Sequence, residues 1–364
     1  MKVAIVHYWL VGMRGGEKVI EQLCELFPQA DIFTHVYDEG AVSETIRKHH
    51  VNTTFINRLP KAKSMYQSYL PLMPLALEQL DLRGYDLVIS SESGPSKGVL
   101  TDPEAVHICY CHTPMRYIWD MYQDYYRNSG KLKRLVMPPL LHYLRMWDVS
   151  SSTRVDQFVA NSNFIAKRIK KYYRRDADVI HPPVVTHEFD LSEKIEDYYL
   201  MVGQLVKYKR ADLAVDAFNR NGKKLIIIGE GDEIHELKKR AKGNIMILGR
   251  KPFETIKKYY SECKALVFPG LEDFGIVPLE AMASGRPVIA YGRGGALDYV
   301  HNGKTGILFE DQTVDSLNGA IEKFESSGVE YSPSQIKEFA ELFSASEFRR
   351  KFDAKVKSIV AKSE

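Results

Sequence analysis

The sequence predicts an α/β protein with two doubly wound parallel sheets, and three observations lead to this fold class. Short β-rich runs alternate with stretches of helical periodicity, as is typical of parallel strands covered by helices. These runs fall into two series along the chain. With 364 residues, the chain is also longer than one hydrophobic core usually supports. We therefore expect one domain over residues 1–185 and a second over residues 195–344.

A break separates the two series between His181 and Asp197. Paired prolines followed by a polar run interrupt the alternation there and predict an interdomain linker. Open parallel sheets bind ligands at the carboxyl ends of their strands, so residues that follow strands are the candidates for function. The predicted strands are Val3–Val6, Asp31–Val36, Thr53–Ile56, Asp86–Ser90, Val106–Cys111 and Phe158–Ala160, and then Tyr199–Val202, Lys224–Ile228, Ile245–Leu248, Ala265–Phe268, Val288–Ala290 and Gly306–Phe309.

The composition is that of an ordinary globular enzyme, with 45% hydrophobic residues and a net charge of +3. The first apolar run stops at His7 and is too short for a signal peptide, and no run of about 20 apolar residues follows. We therefore expect a cytoplasmic protein. Its four cysteines lack the spacing of a disulfide framework or a zinc site and are expected to be buried thiols. They are Cys24, Cys109, Cys111 and Cys263.

Two glutamates, Glu272 and Glu280, lie at either end of a glycine-containing turn that leads into a predicted helix, Ile276–Ser284. Glu272 falls on the loop after a buried strand, and Glu280 falls inside the helix. Amides at a helix start have no intrahelical acceptor and attract phosphate, and Gly275 permits close approach of the backbone. The arrangement predicts a binding site for a phosphorylated sugar. The amides belong to Phe274, Gly275, Ile276 and Val277.

The spacing of these two carboxylates resembles the glutamate, seven residues, glutamate signature of the retaining glycosyltransferases of group 1, which have the GT-B fold. The resemblance covers nearly the whole chain. It implies two Rossmann-like domains facing across a cleft, the first on the acceptor side and the second binding the nucleotide sugar. It assigns Glu272 to the donor sugar and phosphate, and Glu280 to the ribose hydroxyls. In relatives the last helix, here residues 345–364, packs back on the first domain.

The segment after the first strand of the second domain resembles the family segment in which an arginine and a lysine hold the donor diphosphate. Lys209 falls on the lysine position, whereas Gln204 occupies the arginine position and Arg210 replaces the usual glycine. We expect Lys209 to be catalytic, with Arg210 or another cation supplying the missing charge. Fixed cations favour the transition state because the leaving nucleoside diphosphate gathers negative charge there. Surface cations at a helix start are the alternative interpretation.

Two glycine-containing loops complete the predicted donor site. Gly249 and Arg250 begin a segment that would line the nucleobase pocket in this fold. In the first domain, Gly15 and Gly16 precede a helix and are typical of a phosphate or acceptor loop. The glycines lack the Gly-x-Gly-x-x-Gly arrangement of dinucleotide sites, which argues against a nicotinamide enzyme. No cofactor is expected, and tight turns would also explain these glycines.

His112 ends a strand of the first domain at a site where the family places a histidine beside the donor sugar and the catalytic centre. The residues that follow it include Arg116 and Trp119, which we expect to help form the acceptor site. A structural hydrogen-bonding role is the alternative for an isolated histidine. Further along, Asn161 and Ser162 also resemble the family, but they are equally good caps for the next helix.

A basic segment runs from Lys131 to Arg175 and carries eleven lysines and arginines against two acids, an excess of +9. Apolar residues accompany the charges, which suits contact with anionic lipid, although a solvated helix face is an equal alternative. No nucleic-acid-binding motif is present, so we do not expect nucleic acid as a partner. Asp176 and Asp178 match a metal-binding pattern only superficially, and no metal is expected. The apolar residues are Leu135, Leu140, Leu141 and Trp147.

The nearest resemblance is to bacterial mannosyltransferases of polysaccharide and O-antigen assembly. It implies transfer of a hexose with retention, with GDP-mannose as the first choice of donor and a hydroxyl of a glycan, in particular a lipid-linked one, as the acceptor. Front-face attack and double displacement both remain open, since sequence does not locate a carboxylate beside the anomeric carbon. Other open functions are a UDP-sugar transferase, a nonhydrolysing sugar-nucleotide epimerase and a noncatalytic sugar-nucleotide sensor.

Overall fold

The computed structural model describes residues 1–127, 129–328 and 330–363. The chain forms two compact units, the first from residues 1–182 with the C-terminal segment from Phe348 onward, the second from residues 183–347. Backbone hydrogen bonds join the beginning of the second unit to its end. The Val184 amide donates to the Phe343 carbonyl at 2.9 Å, and the Ala345 amide donates to the Val184 carbonyl at 3.1 Å.

The first unit contains a parallel sheet with the order β3-β2-β1-β4-β5-β6-β7 among the described residues. The chain order reverses at β1, so β1 and β4 are the neighbours between which a doubly wound sheet offers its ligand crevice. The strands are β1 (Val3–His7), β2 (Asp31–Thr34), β3 (Val51–Thr53), β4 (Leu87–Glu92), β5 (Val106–Cys111), β6 (Gln157–Ala160) and β7 (Ala177–Val179).

Helices of the first unit cover both faces of this sheet. Apolar residues of the first helix, α1 (Gly15–Leu26), and of the C-terminal segment from Phe348 onward share one core cluster with β1, β4 and β5. The long helix α6 (Lys131–Ser151) packs on the other face. The helices are α1 (Gly15–Leu26), α2 (Glu44–Arg47), α3 (Ala62–Met65), α4 (Met73–Glu78), α5 (Tyr122–Arg127), α6 (Lys131–Ser151) and α7 (Asn163–Tyr173).

The second unit repeats the architecture with a parallel sheet of order β10-β9-β8-β11-β12-β13. Its strands are β8 (Tyr199–Val202), β9 (Leu225–Ile228), β10 (Ile245–Ile247), β11 (Leu266–Phe268), β12 (Val288–Tyr291) and β13 (Gly306–Phe309). Its helices are α8 (Ala211–Asn221), α9 (Ile234–Arg240), α10 (Phe253–Glu262), α11 (Val277–Ala283), α12 (Val314–Ser326) and α13 (Pro333–Glu341), followed by α14 (Ala345–Ser363), which belongs to the first unit from Phe348 onward.

The predicted fold class is confirmed, and the disagreements lie at the edges of the first sheet. The strand predicted at Thr53–Ile56 is wrong, because β3 ends at Thr53 and a 3-10 turn follows over Phe55–Arg58. The Thr54 hydroxyl accepts from the Ile56 amide and begins that turn. The edge strand β7 was not predicted, since its sequence is short and polar. In the second unit, a strand is present at each predicted position.

The cysteines lie in the environment expected for them. All four cysteines are buried and unbonded to one another. Within the described residues, no helix combines the length and the apolar character needed to cross a membrane.

Candidate functional site

Lys209 and Glu272 form an ion pair at the carboxyl edge of the second sheet, with Nζ 3.0 Å from Oε1. Both side chains are largely buried, at 16% and 17% exposure. Burial alone would lower the pKa of Lys209, but the Glu272 carboxylate outweighs it and raises that pKa above its usual value. Apart from this ion pair, the buried Glu272 Oε1 has no hydrogen-bond donor among the described residues. The pair therefore keeps acceptor capacity for a ligand.

Close backbone packing holds this ion pair in place. Gly270 follows β11, and a Cβ atom there would lie 2.8 Å from Lys209 Cα. Gly295 donates its amide to the Glu272 carbonyl at 2.9 Å, and a Cβ atom at Gly295 would lie 2.4 Å from Phe274 Cα. Only glycine permits these approaches, so both loops are fixed against the loop that carries Glu272. Neither glycine was among the residues predicted for the site.

Glu280 lies within α11, as predicted, and accepts a hydrogen bond from the Tyr260 hydroxyl at 2.8 Å. Burial raises the pKa of Glu280 to about 7, assisted by the nearby Glu188 and opposed by Tyr260 and Lys209. The carboxyl group therefore titrates near neutral pH. Tyr260 was not among the predicted site residues, because a tyrosine on the buried face of α10 has no sequence signal beyond its helical spacing.

Helix α11 begins at Val277 rather than at the predicted Ile276. Phe274 and Gly275 therefore lie in the preceding turn, where Gly275 has a positive φ of 87°. Phe274 is buried, and its carbonyl accepts from the Tyr299 hydroxyl at 2.7 Å. The first-turn amides of α11 lack intrahelical acceptors, as at any helix start. The predicted phosphate contact of these residues stays a prediction.

The other residues predicted to hold the donor occupy separate positions on the second unit. Arg210 adopts a left-handed backbone conformation, and its guanidinium is held by the Asp212 carboxylate at 3.0 and 3.1 Å. Gln204 is exposed. The Gly249 carbonyl accepts from the Gly229 amide at 3.0 Å, and Arg250 is exposed beside it. Lys209 is thus the cation in contact with Glu272, while Arg210 is already neutralised by its neighbour.

In the first unit, His112 lies just beyond β5 and shares a serine with a second histidine. Ser91 Oγ is 2.8 Å from His112 Nε2 and 3.0 Å from His7 Nδ1. Burial lowers the pKa of His112 to about 4, and burial with the nearby His112 lowers that of His7 well below its usual value. Both imidazoles are therefore neutral at pH 7. His7 Nε2 is buried and has no hydrogen-bond partner among the described residues.

His7 was missed at the sequence level, although its place at the end of the first strand was a usable signal. It lies beside Gly16, in the first turn of α1. A Cβ atom at Gly16 would lie 2.5 Å from the Tyr8 hydroxyl and 3.4 Å from His7 Cε1. Gly15 begins the same helix. The two predicted glycines therefore adjoin the histidine cluster.

The predicted acceptor residues differ in their surroundings. Trp119 donates its indole N–H to Asp148 Oδ2 at 2.7 Å and stacks on Tyr172 with ring centroids 4.7 Å apart. Asp148 is fully buried and ion-paired with Lys97. Arg116 is partly buried. Trp119 is therefore held rigidly by the core of the first unit.

The structure distinguishes the surroundings of two pairs of residues that the sequence left open, Asn161 with Ser162 and Asp176 with Asp178. The Ser162 hydroxyl accepts from the Ile165 amide at 3.1 Å, so Ser162 caps α7. Asn161 is buried, and its Oδ1 has no hydrogen-bond donor among the described residues. Asp176 is paired with Lys170, and Asp178 with Lys355. Within the part of the chain that the structure describes, no group of three or more His, Cys, Asp or Glu residues could hold a metal ion.

The basic segment divides into inward and outward groups. Arg154, Arg168 and Arg175 bind acidic side chains or carbonyls of the first unit. The expectation that Leu141 and Trp147 contact lipid is wrong, because both are buried in the core beneath α6. The apolar residues exposed on α6 instead recur at helical spacing, and Lys131 and Lys133 are exposed beside them. They are Leu132, Leu135, Val136, Tyr143, Met146 and Val149, which we call the exposed stripe of α6.

The chain is similar to curated glycosyltransferases along most of its length. It is 27% identical to alpha-1,3/1,6-mannosyltransferase ALG2 of Dictyostelium discoideum over 64% of this chain and 66% of that protein. It is 26% identical to the ALG2 protein of Schizosaccharomyces pombe over 85% of this chain and 70% of that protein. An uncharacterized glycosyltransferase of Methanocaldococcus jannaschii is 30% identical over 47% of this chain and 50% of that protein. The matched region therefore covers 66% of the length of the Dictyostelium relative and 50% of the length of the Methanocaldococcus relative.

Solved structures and family models agree on the fold. A sucrose-phosphate synthase from Thermosynechococcus elongatus matches with a TM-score of 0.74 at 16% identity, over all of both chains. The lipopolysaccharide outer core galactosyltransferase WaaB matches with a TM-score of 0.71 at 18% identity, over 98% of this chain and 99% of that one. The model "Glycosyltransferase Family 4" matches residues 13–188, and "Glycosyl transferases group 1" matches residues 186–342. Together they span both units, and the chain belongs to the glycosyltransferases with the GT-B fold.

Proposed function

We propose that this protein transfers mannose from GDP-mannose to a hydroxyl of a lipid-linked glycan, with retention of anomeric configuration. The observation that carries the proposal is the buried Lys209–Glu272 pair at the carboxyl edge of the second sheet. It combines a fixed cation with a carboxylate oxygen that has spare acceptor capacity. The ALG2 relatives, which are named as mannosyltransferases, support mannose as the sugar.

Lys209 is proposed to stabilise the leaving nucleoside diphosphate. Negative charge grows on that diphosphate as the glycosidic bond breaks, and a cation already in place favours the transition state over the ground state. Its ion pair with Glu272 keeps Lys209 charged, since the carboxylate raises the pKa of the ammonium group. Glu272 then accepts from hydroxyls of the donor sugar.

Glu280 is proposed to accept hydrogen bonds from the ribose hydroxyls of the donor. The carboxyl group is already fixed by the Tyr260 hydroxyl, which leaves its other oxygen for the ligand. In the first unit, neutral His112 is proposed to contact the donor sugar as a hydrogen-bonding group rather than as a cation. Retention is proposed to follow from front-face attack, in which the leaving phosphate takes the proton of the acceptor hydroxyl.

Peripheral contact with an anionic membrane is proposed for helix α6. The exposed stripe supplies apolar side chains, with Leu132 and Leu135 exposed at 78% and 75%. Lys131 and Lys133 flank it and would attract anionic headgroups by about 1 kcal/mol each. Binding should fall as salt is raised, because the attraction is screened over about 8 Å at physiological ionic strength. Cosedimentation with anionic and neutral vesicles, for wild type and a Leu132→Glu, Leu135→Glu variant, tests this contact.

The central test compares sugar nucleotides directly. Purified protein is incubated with GDP-mannose, UDP-glucose or UDP-galactose, with and without lipid-linked saccharides, and the products are separated and their anomeric configuration determined. Mannosyl transfer with retention supports the proposal. Transfer only from a UDP-sugar would replace the donor, an epimer formed without acceptor would identify an epimerase, and binding without turnover would identify a sensor. Activity that survives chelator would agree with the expected absence of an essential metal.

A further inference from the structure

An apolar cavity of about 260 Å³ lies within the first unit, bounded by the loop after β1, the 3-10 turn over residues 66–72, and helices α5 and α6. It is larger than the roughly 150 Å³ apolar cavity that stays dry and takes up benzene in another protein. Six apolar or aromatic side chains and one amide line it. They are Trp9, Leu70, Tyr117, Tyr125, Met137, Leu141 and Gln67.

The chemistry of the walls indicates a hydrocarbon occupant. The Tyr117 hydroxyl donates to Met115 Sδ at 2.8 Å, so this polar group is already engaged. A saccharide in the cavity would lose hydrogen bonds to water with few groups to replace them, which disfavours the burial of each hydroxyl. A hydrocarbon chain, in contrast, is stabilised by each methylene group that leaves water.

The walls are held by packing that does not depend on an occupant. Trp9 packs against the Tyr66 ring with centroids 4.7 Å apart, and a Cβ atom at Gly94 would lie 3.2 Å from its indole. Leu141 is buried in the core beneath α6. Tyr125 is 50% exposed, so the cavity reaches solvent on that side.

The cavity also adjoins the histidine cluster of the same unit. The ring of Trp9 contacts Tyr8 at 4.6 Å between centroids, and Tyr8 contacts His7 at 4.0 Å. His7 and His112 share the Ser91 hydroxyl. A chain held in the cavity would therefore lie near the cluster that contains His112, the side chain that the family resemblance places beside the catalytic centre.

We propose that this cavity binds the first isoprenoid or acyl segment of the lipid that carries the acceptor glycan. The inference rests on the proposed lipid-linked acceptor and adds a site for its hydrocarbon part. It separates two roles of α6, whose exposed stripe faces outward while Met137 and Leu141 face the cavity. Binding of the lipid's hydrocarbon chain would hold the acceptor in place through a contact that is remote from its reacting hydroxyl.

The test measures binding of two probes with one headgroup and different chains. Farnesyl phosphate, used below micelle-forming concentrations, and dimethylallyl phosphate are titrated into the full-length protein by calorimetry. Wild type should bind farnesyl phosphate at least tenfold more tightly. Met137→Glu, which puts a charge in the cavity, and Leu70→Trp, which fills it, should both remove this preference. Leu135→Glu, on the exposed stripe of the same helix, should keep it.

Each outcome decides the proposal. Equal affinity of wild type for both probes, or no binding of either, overturns it, and so does retention of the chain-length preference in folded Met137→Glu and Leu70→Trp proteins. Loss of the preference in Leu135→Glu would assign hydrocarbon binding to the outer surface of α6 instead. Melting temperatures show that each variant is folded. Because the assay needs no turnover, chain-length-dependent binding without mannosyl transfer would refute the donor proposal and leave the cavity assignment standing.

Discussion

The two units differ in the charge of the candidate groups at the carboxyl edges of their parallel sheets. In the second unit the candidate groups are ions or titrate near neutrality, namely the Lys209–Glu272 pair and Glu280 with a pKa of about 7. In the first unit the clustered groups are neutral imidazoles, since burial lowers the pKa of His112 to about 4 and that of His7 well below its usual value. The fold alone therefore does not set the chemistry of the site. The comparison assigns charge stabilisation to the second unit and hydrogen-bonded positioning to the first, and the following predictions test that division.

The largest effect is expected for Lys209→Ala. Loss of the fixed cation should lower kcat about hundredfold, comparable to the loss of one preorganised electrostatic donor. Lys207→Ala is the matched control, since Lys207 is exposed on the same 3-10 turn and should keep near wild-type activity. Arg210→Ala should have a smaller effect than Lys209→Ala, because Asp212 already neutralises this guanidinium. Steady-state kinetics with GDP-mannose distinguish these outcomes, and equal activity of the Lys207 and Lys209 variants would contradict the assignment.

A second prediction separates the two glutamates. Glu280→Ala should weaken nucleotide binding by about 1.5 to 3 kcal/mol, the range for a charge-assisted hydrogen bond. Glu272→Ala should chiefly lower kcat, since its carboxylate is paired with Lys209. Calorimetry with GDP and turnover measurements report the two effects independently. Equal small changes in both variants would remove the proposed roles.

The sequence predicted the second unit more completely than the first, and the reason is physical. The second unit's strands are apolar runs bounded by turns, whereas β3 and β7 are short edge strands whose sides meet solvent. Glu272 and Glu280 were recognisable because their spacing and flanking residues form one continuous motif. The residues that hold them in place were not recognisable, because Tyr260 and Gly295 are distant in sequence and contact Glu280 and Glu272 only in the folded protein. Similarly, nothing in the separate segments around His7 and Ser91 indicates that one hydroxyl contacts two histidines.

The pH dependence of donor binding should come from the second unit. Ribose hydroxyls donate best to an ionised carboxylate, so the affinity for GDP-mannose should rise about tenfold from pH 6 to pH 8 for a group with a pKa near 7. Without ligand, the stability of the folded protein depends on pH in the opposite direction from donor affinity. The folded pKa of Glu280 lies above its unfolded value, so its contribution to stability is lost as the pH rises toward 7.

Glu280→Gln isolates this titration from other groups. The variant should bind GDP-mannose with little change between pH 6 and pH 8, while His112 remains neutral throughout that range. Calorimetric titrations at several pH values measure the difference between the two proteins. A pH dependence that is the same in wild type and in Glu280→Gln would assign the titration elsewhere.

The smallest effect is expected in the first unit, for Ser91→Ala. Removing the hydroxyl leaves His112 Nε2 and His7 Nδ1 without their shared partner, at a cost of about 1 kcal/mol. Because the hydrogen bond orients the His112 ring, kcat should fall about fivefold, the equivalent of that energy. Ser90→Ala is the matched control, since Ser90 is the preceding residue of β4 and makes a similar 2.9 Å contact with His107 Nε2.

Adjacent residues of a strand point to opposite faces of the sheet, so the two serine variants remove buried serine–histidine contacts in different places. Both should lower the melting temperature, whereas only Ser91→Ala should lower kcat. Equal losses of activity would mean that the serines act through stability alone. An unchanged kcat in a destabilised Ser91→Ala protein would show that His112 needs no positioning by this hydroxyl, and the first unit's role would then rest on groups other than the His7–Ser91–His112 cluster.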